Sequence, residues 1–92
     1  MSPRILFFTQ PGCMSCELMR VFLEAQQVAF EERDIVADSD ARRAMLEKYG
    51  SNETPTVVVF SGGSEEVIVG FDPEPLEHLL QAAASSDTVT ES

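Results

Sequence analysis

The stretch RILFFTQPGCMSCELMRVFLEAQQ, residues 4–27, decides the fold. It opens with a continuous apolar run, residues 5–8, which predicts a strand covered on both faces. Gln-Pro-Gly at residues 10–12 interrupts the run, and residues 13–27 then predict a helix. A strand that leads through a short break into a helix is the first half of a βαβ unit.

The predicted helix has two kinds of face. Apolar side chains at helical spacing form the face that we expect to pack inward, namely Met14, Leu18, Val21, Phe22 and Ala25. Charged and polar residues mark the opposite face, where Arg20 and Glu24 are spaced for an i,i+4 ion pair.

The middle of the chain predicts a second strand and a second helix. The strand lies within residues 28–35 and ends in Glu-Glu-Arg-Asp, so we expect it near an edge of the sheet. Residues 38–49 predict the helix, because an Asp-Ser start signal opens it and a glycine follows it. Ala41 and Met45 are expected to face inward.

The last third predicts a hairpin and a final helix. Residues 56–60 give the strongest strand prediction, because three consecutive valines occupy their centre. Paired glycines within residues 61–64 accept the positive φ that a tight hairpin requires, so residues 65–69 should return antiparallel. An Asp-Pro pair then opens a helix whose buried stripe is expected to be Leu76, Leu79, Leu80 and Ala83.

The chain of 92 residues is long enough for one domain and too short for two. We expect an α/β domain over residues 1–84, with the order β-α-β-α-β-β-α and a four-stranded mixed sheet flanked by helices. Residues 85–92 are small and polar and are expected to form a flexible tail.

The charge balance restricts the partners. Six Lys and Arg against sixteen Asp and Glu give a net charge of −10. So acidic a chain should not bind nucleic acid or anionic membranes through bulk electrostatics. No apolar run approaches the roughly 18 residues of a membrane span, and the first residues lack the apolar core of a secretory signal. We expect a monomer in the cytoplasm.

Cys13 and Cys16 form a C-x-x-C pair and are the only cysteines. Structural disulfides rarely persist in the cytosol, and a bridge here would constrain the unfolded chain little, because its loop is so short. Cys13 lies where the first helix begins, so free N–H groups and the helix dipole stabilise a thiolate there. Cys16 is one turn further on the same side and can resolve a mixed disulfide on Cys13.

A cysteine pair can also bind metal. Structural zinc usually needs four ligands, whereas this chain offers two cysteines and His78, which is predicted on a distant helix. Only a dimer could complete a four-cysteine site, so no metal is expected in a monomer. A dimeric zinc or iron–sulfur module that uses Cys13 remains an alternative, as does a redox-inactive adaptor that binds a partner in the same groove.

Three motifs, in this order, resemble those of the glutaredoxin family of the thioredoxin superfamily. They are TQPGCMSC at residues 9–16, Thr54-Pro55 before a Val-rich strand, and GFDP at residues 70–73 before the last helix. The resemblance implies a dithiol–disulfide oxidoreductase with no prosthetic group and glutathione as a possible co-substrate. It implies that Pro55 is cis and lies against the cysteines, and that Thr54 offers its backbone to a substrate. The implied substrate-binding residues are Gln10, Pro11, Gly12, Met14, Thr54, Pro55, Gly70, Phe71 and Asp72.

Departures from the common family pattern indicate a subgroup. Glutaredoxins that use glutathione commonly have a lysine where this chain has the uncharged Gln10, and Glu17, Glu53 and Asp72 would add negative charge around the thiols. Phe71 before Asp-Pro resembles the NrdH-redoxin kind, which takes electrons from thioredoxin reductase and passes them to ribonucleotide reductase. We therefore expect a disulfide-containing protein as substrate, and either a thioredoxin-reductase-type flavoprotein or glutathione as reductant.

Overall fold

A computed structural model describes residues 4–89, with side chains described through residue 81. Four strands form one mixed sheet: β1 (Arg4–Thr9), β2 (Glu31–Asp34), β3 (Thr56–Ser61) and β4 (Ser64–Val69). Their order across the sheet is β2-β1-β3-β4. The inner strand β1 pairs in parallel with β2 and antiparallel with β3, and β3 pairs antiparallel with β4.

Three helices connect and cover these strands. They are α1 (Met14–Ala25), α2 (Ser39–Arg43), which continues as a π-helical segment over Ala44–Lys48, and α3 (Pro73–Val89). The order β-α-β-α-β-β-α confirms the fold predicted from the sequence. Because α3 continues to Val89, regular structure extends beyond the boundary predicted at residue 84. The flexibility of the tail stays a prediction, and residues 90–92 lie outside the described residues.

The sheet is covered on both faces, as the apolar run in β1 predicts. Alternate side chains of a strand point to opposite faces, so Ile5 and Phe7 enter one core while Leu6 and Phe8 enter the other. The first core also contains buried side chains of α1 and α3, including Leu76 and Leu80, and Leu79 packs against it. The second contains Ala41 and Met45, as predicted. Ala83, the last member of the predicted stripe, lies outside the described side chains.

The prediction for the inward face of α1 is wrong. Met14, Leu18 and Val21 are 74%, 49% and 64% exposed, and Ala25 is exposed as well. The fully buried residues of α1 are instead Cys16, Met19 and Leu23, and only Phe22 of the predicted set packs against the core. Both sets are apolar and helically spaced, so packing against the sheet and α3, rather than periodicity, selects the buried one.

The predicted ion pair on α1 is also replaced. Arg20 Nε donates to Glu32 Oε1 at 3.0 Å, and its Nη1 donates to Glu17 Oε1 at 2.6 Å, so neither bond goes to Glu24. The guanidinium therefore links α1 to the edge strand β2. Hydrogen bonds to Glu32 and then Glu17 raise the pKa of Arg20 above its usual value.

One helix boundary differs from the prediction, and one predicted turn is confirmed. α1 stops at Ala25, two residues earlier than predicted, and Gln27 has a φ of +58°, which does not continue a helix. The predicted hairpin between β3 and β4 is confirmed, with φ of +56° and +85° at Gly62 and Gly63. Across residues 4–89, no helix combines the length and apolar character needed to span a membrane.

Candidate active site

The two cysteines lie at the N-terminal end of α1, directly after β1. Cys13 is the N-cap residue of α1, with an extended backbone, and its Sγ accepts a hydrogen bond from the backbone N–H of Cys16 at 3.1 Å. Cys13 and Cys16 form a disulfide, with Cα atoms 5.2 Å apart. Cys13 is half-buried, whereas Cys16 is fully buried in the core. An incoming sulfur can therefore reach Cys13 and not Cys16.

The loop before β3 contacts the accessible sulfur. The Thr54 hydroxyl donates to Cys13 Sγ at 3.6 Å, and the Thr54 carbonyl oxygen lies 3.8 Å from the same sulfur. The Thr54-Pro55 peptide bond is cis and Pro55 is buried, so the cis geometry expected at this position is confirmed. The Pro55 carbonyl accepts the N–H of Gly70 at 2.8 Å, which joins this loop to the end of β4.

A closed set of hydrogen bonds among Ser51, Glu53 and Thr56 fixes the conformation of this loop. The Ser51 and Thr56 hydroxyl oxygens are 2.7 Å apart, and both side chains are buried. Thr56 Oγ1 donates to the Glu53 carbonyl at 2.6 Å, and the Glu53 N–H donates to Ser51 Oγ at 3.3 Å. The Ser51 N–H in turn donates to the Met45 carbonyl at 2.9 Å. Two hydroxyls thus fix the chain on either side of Thr54.

Ser51 and Thr56 are not among the site residues predicted from the sequence. The available signal was weak, because short hydroxyl residues beside a Thr-Pro pair are common in turns. Only their burial makes them informative, since a buried hydroxyl must find a hydrogen-bond partner within the protein.

The remaining predicted site residues divide into groups. Pro11 and Gly12 are exposed before Cys13, and Met14 and Phe71, 74% and 37% exposed, offer apolar surface. Gln10 lines a recess of about 410 Å³ next to Ile35 and Arg42, while Asp72 lines a separate groove of about 680 Å³ between β4 and α3. Hydrogen bonds connect Cys13 with Cys16, Cys13 with Thr54, and Pro55 with Gly70.

The charges near the thiols differ in part from the expectation. Glu17 lies in the first turn of α1, where its N–H donates to the Cys13 carbonyl at 3.2 Å. Its carboxylate is paired with Arg20, so its charge is partly compensated. Arg42, which is not among the site residues predicted from the sequence, lines the recess of Gln10 and supplies a cation there.

The position of His78 bears on the metal-binding alternative. His78 is exposed and lines the groove between β4 and α3. Among the side chains described through residue 81, no three or more His, Cys, Asp or Glu residues are grouped so that they could hold a metal ion.

The model of the family described as Glutaredoxin matches residues 5–63, more than half of the chain. The chain belongs to the glutaredoxin family. The family and fold expected from the motifs are thereby confirmed. With its Cys13–Cys16 pair, this glutaredoxin-family protein is a thiol–disulfide oxidoreductase.

Individual relatives are described as thioredoxin-like or glutaredoxin-like proteins. The thioredoxin-like protein BC3987 is 43% identical, with a TM-score of 0.75 over 83% of this chain and 99% of that one. The glutaredoxin-like protein NrdH-redoxin from Escherichia coli is 25% identical, with a TM-score of 0.67 over 83% and 93%. The prophage-derived thioredoxin-like protein YosR of Bacillus subtilis is 29% identical over 85% of this chain and 95% of its own length.

Proposed function

We propose that this protein reduces a disulfide in a partner protein and so donates electrons to a partner enzyme in a reducing compartment such as the cytoplasm. The observation that supports this most directly is the unequal access of the two sulfurs. Cys13 is reachable and has two hydrogen-bond donors on its sulfur, whereas Cys16 is fully buried behind it. This is the arrangement of a nucleophile and a resolving thiol.

The reaction begins from the reduced pair. The Cys13 thiolate attacks one sulfur of the partner's disulfide, forms a mixed disulfide and displaces the second sulfur as a thiolate, which takes up a proton. Cys16 then loses its proton and attacks Cys13 Sγ, which closes the Cys13–Cys16 disulfide and releases the other partner sulfur as a thiolate. Two electrons have moved to the partner, and a separate reductant must return two to the protein.

The residues around Cys13 each have a place in this scheme. The Cys16 N–H and the Thr54 hydroxyl stabilise negative charge on the attacking sulfur. Thr54 and Pro55 form the edge along which a substrate segment lies. Met14 and Phe71 supply an apolar rim for that segment, and Pro11, Gly12 and Gly70 leave space for its backbone.

A thioredoxin-reductase-type flavoprotein is the proposed reductant. Gln10 brings no charge to hold a glutathione carboxylate, and the chain is strongly acidic, so the anionic tripeptide is not steered toward Cys13. The structural relative NrdH-redoxin is itself a glutaredoxin-like protein with a thioredoxin-like activity profile. We propose that no resident metal or prosthetic group takes part and that the protein acts as a monomer.

A glutathione-dependent glutaredoxin is the second candidate, and one observation favours it. Arg42 shares a recess with Gln10, so a cation is available close to the position from which the common lysine is missing. A guanidinium can bind a carboxylate through two hydrogen bonds. Glutathione would then act as a co-substrate that reduces the Cys13–Cys16 disulfide.

The test couples NADPH consumption to reduction of insulin in two mixtures, one with thioredoxin reductase and one with glutathione and glutathione reductase. We expect turnover with thioredoxin reductase that disappears in Cys13→Ser. In Cys16→Ser, we expect a trapped mixed disulfide, visible by non-reducing electrophoresis.

Turnover only with glutathione, lost in Arg42→Gln, would establish the second candidate instead. Inactivity in both mixtures with free thiols would reject the oxidoreductase scheme. Visible absorbance with stoichiometric iron, or stoichiometric zinc, after purification would then support the dimeric metal module, and the absence of both metals would leave the redox-inactive adaptor.

A further inference from the structure

Helix α1 is apolar on two opposite faces. One face is the buried set of Cys16, Met19 and Leu23. The other face, which we call the outer stripe, consists of Met14, Leu18, Val21 and Ala25, all of them exposed. A surface helix ordinarily presents polar residues on the side away from the core. The outer stripe is therefore a surface that the described part of the chain leaves uncovered.

The position of the outer stripe connects it with the redox site. It begins at Met14, directly after Cys13, and follows α1 to Ala25, which at about 1.5 Å per residue corresponds to roughly 16 Å. A partner whose disulfide has reached Cys13 must also lie close to the first turn of this helix. The stripe therefore continues the apolar rim that includes Met14 in the proposed function.

Acidic side chains border the stripe along one side. Glu17 and Glu24 are seven positions apart, so they lie on the same side of α1, and both are exposed. Glu17 shares its charge with Arg20, whereas Glu24 takes no part in that network. The chain has a net charge of −10, so a second copy docked along this border would place its own carboxylates near these and be repelled. A partner with lysine or arginine at the same place would be attracted.

We propose that the outer stripe is a docking surface for the disulfide-bearing partner protein, which contributes an apolar patch beside its disulfide and basic residues along one side of that patch. This inference rests on the proposed function, since it places the partner by its reaction with Cys13. The stripe adds affinity and selectivity to the reaction, while the chemistry stays with the cysteine pair.

The test uses two synthetic helical peptides as probes. Each has a cysteine in mixed disulfide with thionitrobenzoate, followed by leucines at helical spacing, and the two differ only in lysines or glutamates beside the leucines. Hydroxyethyl disulfide serves as a substrate too small to reach the stripe. The variants are Leu18→Gln with Val21→Gln, and Leu46→Gln as a matched control, because Leu46 is also exposed and belongs to the segment Ala44–Lys48, which lies on the other face of the sheet.

We expect the wild type to reduce the lysine peptide faster than the glutamate peptide, with a preference that shrinks as salt is raised. The double variant should lose about tenfold in kcat/KM for the lysine peptide, since both of its apolar contacts become polar. Its rate with hydroxyethyl disulfide should stay within about twofold, and Leu46→Gln should match the wild type.

Several results would overturn the docking surface. Equal rates on both peptides would show that basic residues of the partner are not attracted to the acidic border. An unchanged rate of lysine-peptide reduction in the double variant would show that the outer stripe does not bind the partner. Equal loss with hydroxyethyl disulfide would show that the variant disturbs the active site. A concentration-dependent dimer abolished by the double variant would assign the stripe to a second copy. A wild type inert toward all three substrates would reject the proposed function itself, and the docking surface with it.

Discussion

The hydroxyl of Thr54 donates a hydrogen bond to the sulfur of Cys13 at 3.6 Å, although 41 positions separate them in the chain. The carbonyl oxygen of the same threonine lies 3.8 Å from that sulfur. In the reduced protein, the hydroxyl favours a thiolate, whereas the carbonyl can accept a bond only from a thiol. Thr54, just before β3, thus contacts Cys13 with one group that favours the thiolate and one that favours the thiol.

Replacing Thr54 by valine keeps its shape and removes the donor. We expect the alkylation of reduced protein by iodoacetamide to reach half its maximal rate at a pH about 0.5 to 1 unit higher, since one unit corresponds to about 1.4 kcal/mol and a single bond to sulfur is modest. Thr54→Ser, which retains the hydroxyl, should stay close to the wild type. Equal shifts in both variants would show that the hydroxyl is not responsible.

The buried hydroxyl pair behind the loop should behave as one unit. Ser51→Ala and Thr56→Val should each lower the free energy of unfolding by about 1–3 kcal/mol, because each leaves buried polar groups with fewer partners. Removing both should cost less than the sum of the single losses, because the oxygens bond to one another at 2.7 Å. Urea denaturation of the four proteins measures this, and strict additivity would contradict the coupling.

Truncating a side chain on the buried face of α1 should lower the free energy of unfolding far more than truncating one on its exposed face. Leu23→Ala removes a fully buried side chain and should lower the free energy of unfolding by about 2–5 kcal/mol. Leu18→Ala removes a half-exposed one and should change it by less than about 1 kcal/mol. Chemical denaturation compares them, and a larger loss in Leu18→Ala would mean that α1 packs with the other face.

The cap of α2 should make stability depend on acid pH. Asp38 accepts a hydrogen bond from Arg33 at 2.8 Å and from the Ala41 N–H at 3.2 Å, and these bonds lower the pKa of its carboxyl from the usual 3.8. A lowered pKa means that the stabilisation is complete above 3.8 and disappears as the pH falls through the folded-state value. Asp38→Asn keeps a capping oxygen without the charge.

The wild type should therefore be more stable than Asp38→Asn at about pH 6, and that advantage should shrink as the pH falls below 3.8 toward the lowered pKa of Asp38. Urea denaturation at about pH 6 and at a series of acid pH values, in the same salt, tests the sign. An advantage that persists unchanged in acid would show that the charge of Asp38 does not contribute.

Much of the fold could be predicted because its signals are local. The apolar run of β1, the break at Gln-Pro-Gly and the paired glycines at residues 62–63 each specify structure within a few residues. The family motifs predicted that Pro55 is cis, and this geometry is confirmed. These predictions depend on the order of short segments and not on how a helix rotates about its axis.

What could not be predicted depends on packing between distant segments. α1 has two apolar stripes, and no local rule says which one meets Phe7 and Leu76. The burial of Ser51 and Thr56 arises only when the π-helical segment and β3 come together. Arg42 lines the recess of Gln10 because α2 lies beside the loop that follows β1.

The outermost strands have a consequence for behaviour at high concentration. β4 presents Glu65 and Glu66, both exposed, and β2 contains Glu31, Glu32 and Asp34 against one arginine. Any attempt to extend the sheet from one molecule into the next would bring carboxylates opposite carboxylates. Aggregation through intermolecular β-structure is thus opposed by repulsion, which would weaken as these carboxylates become protonated in acid.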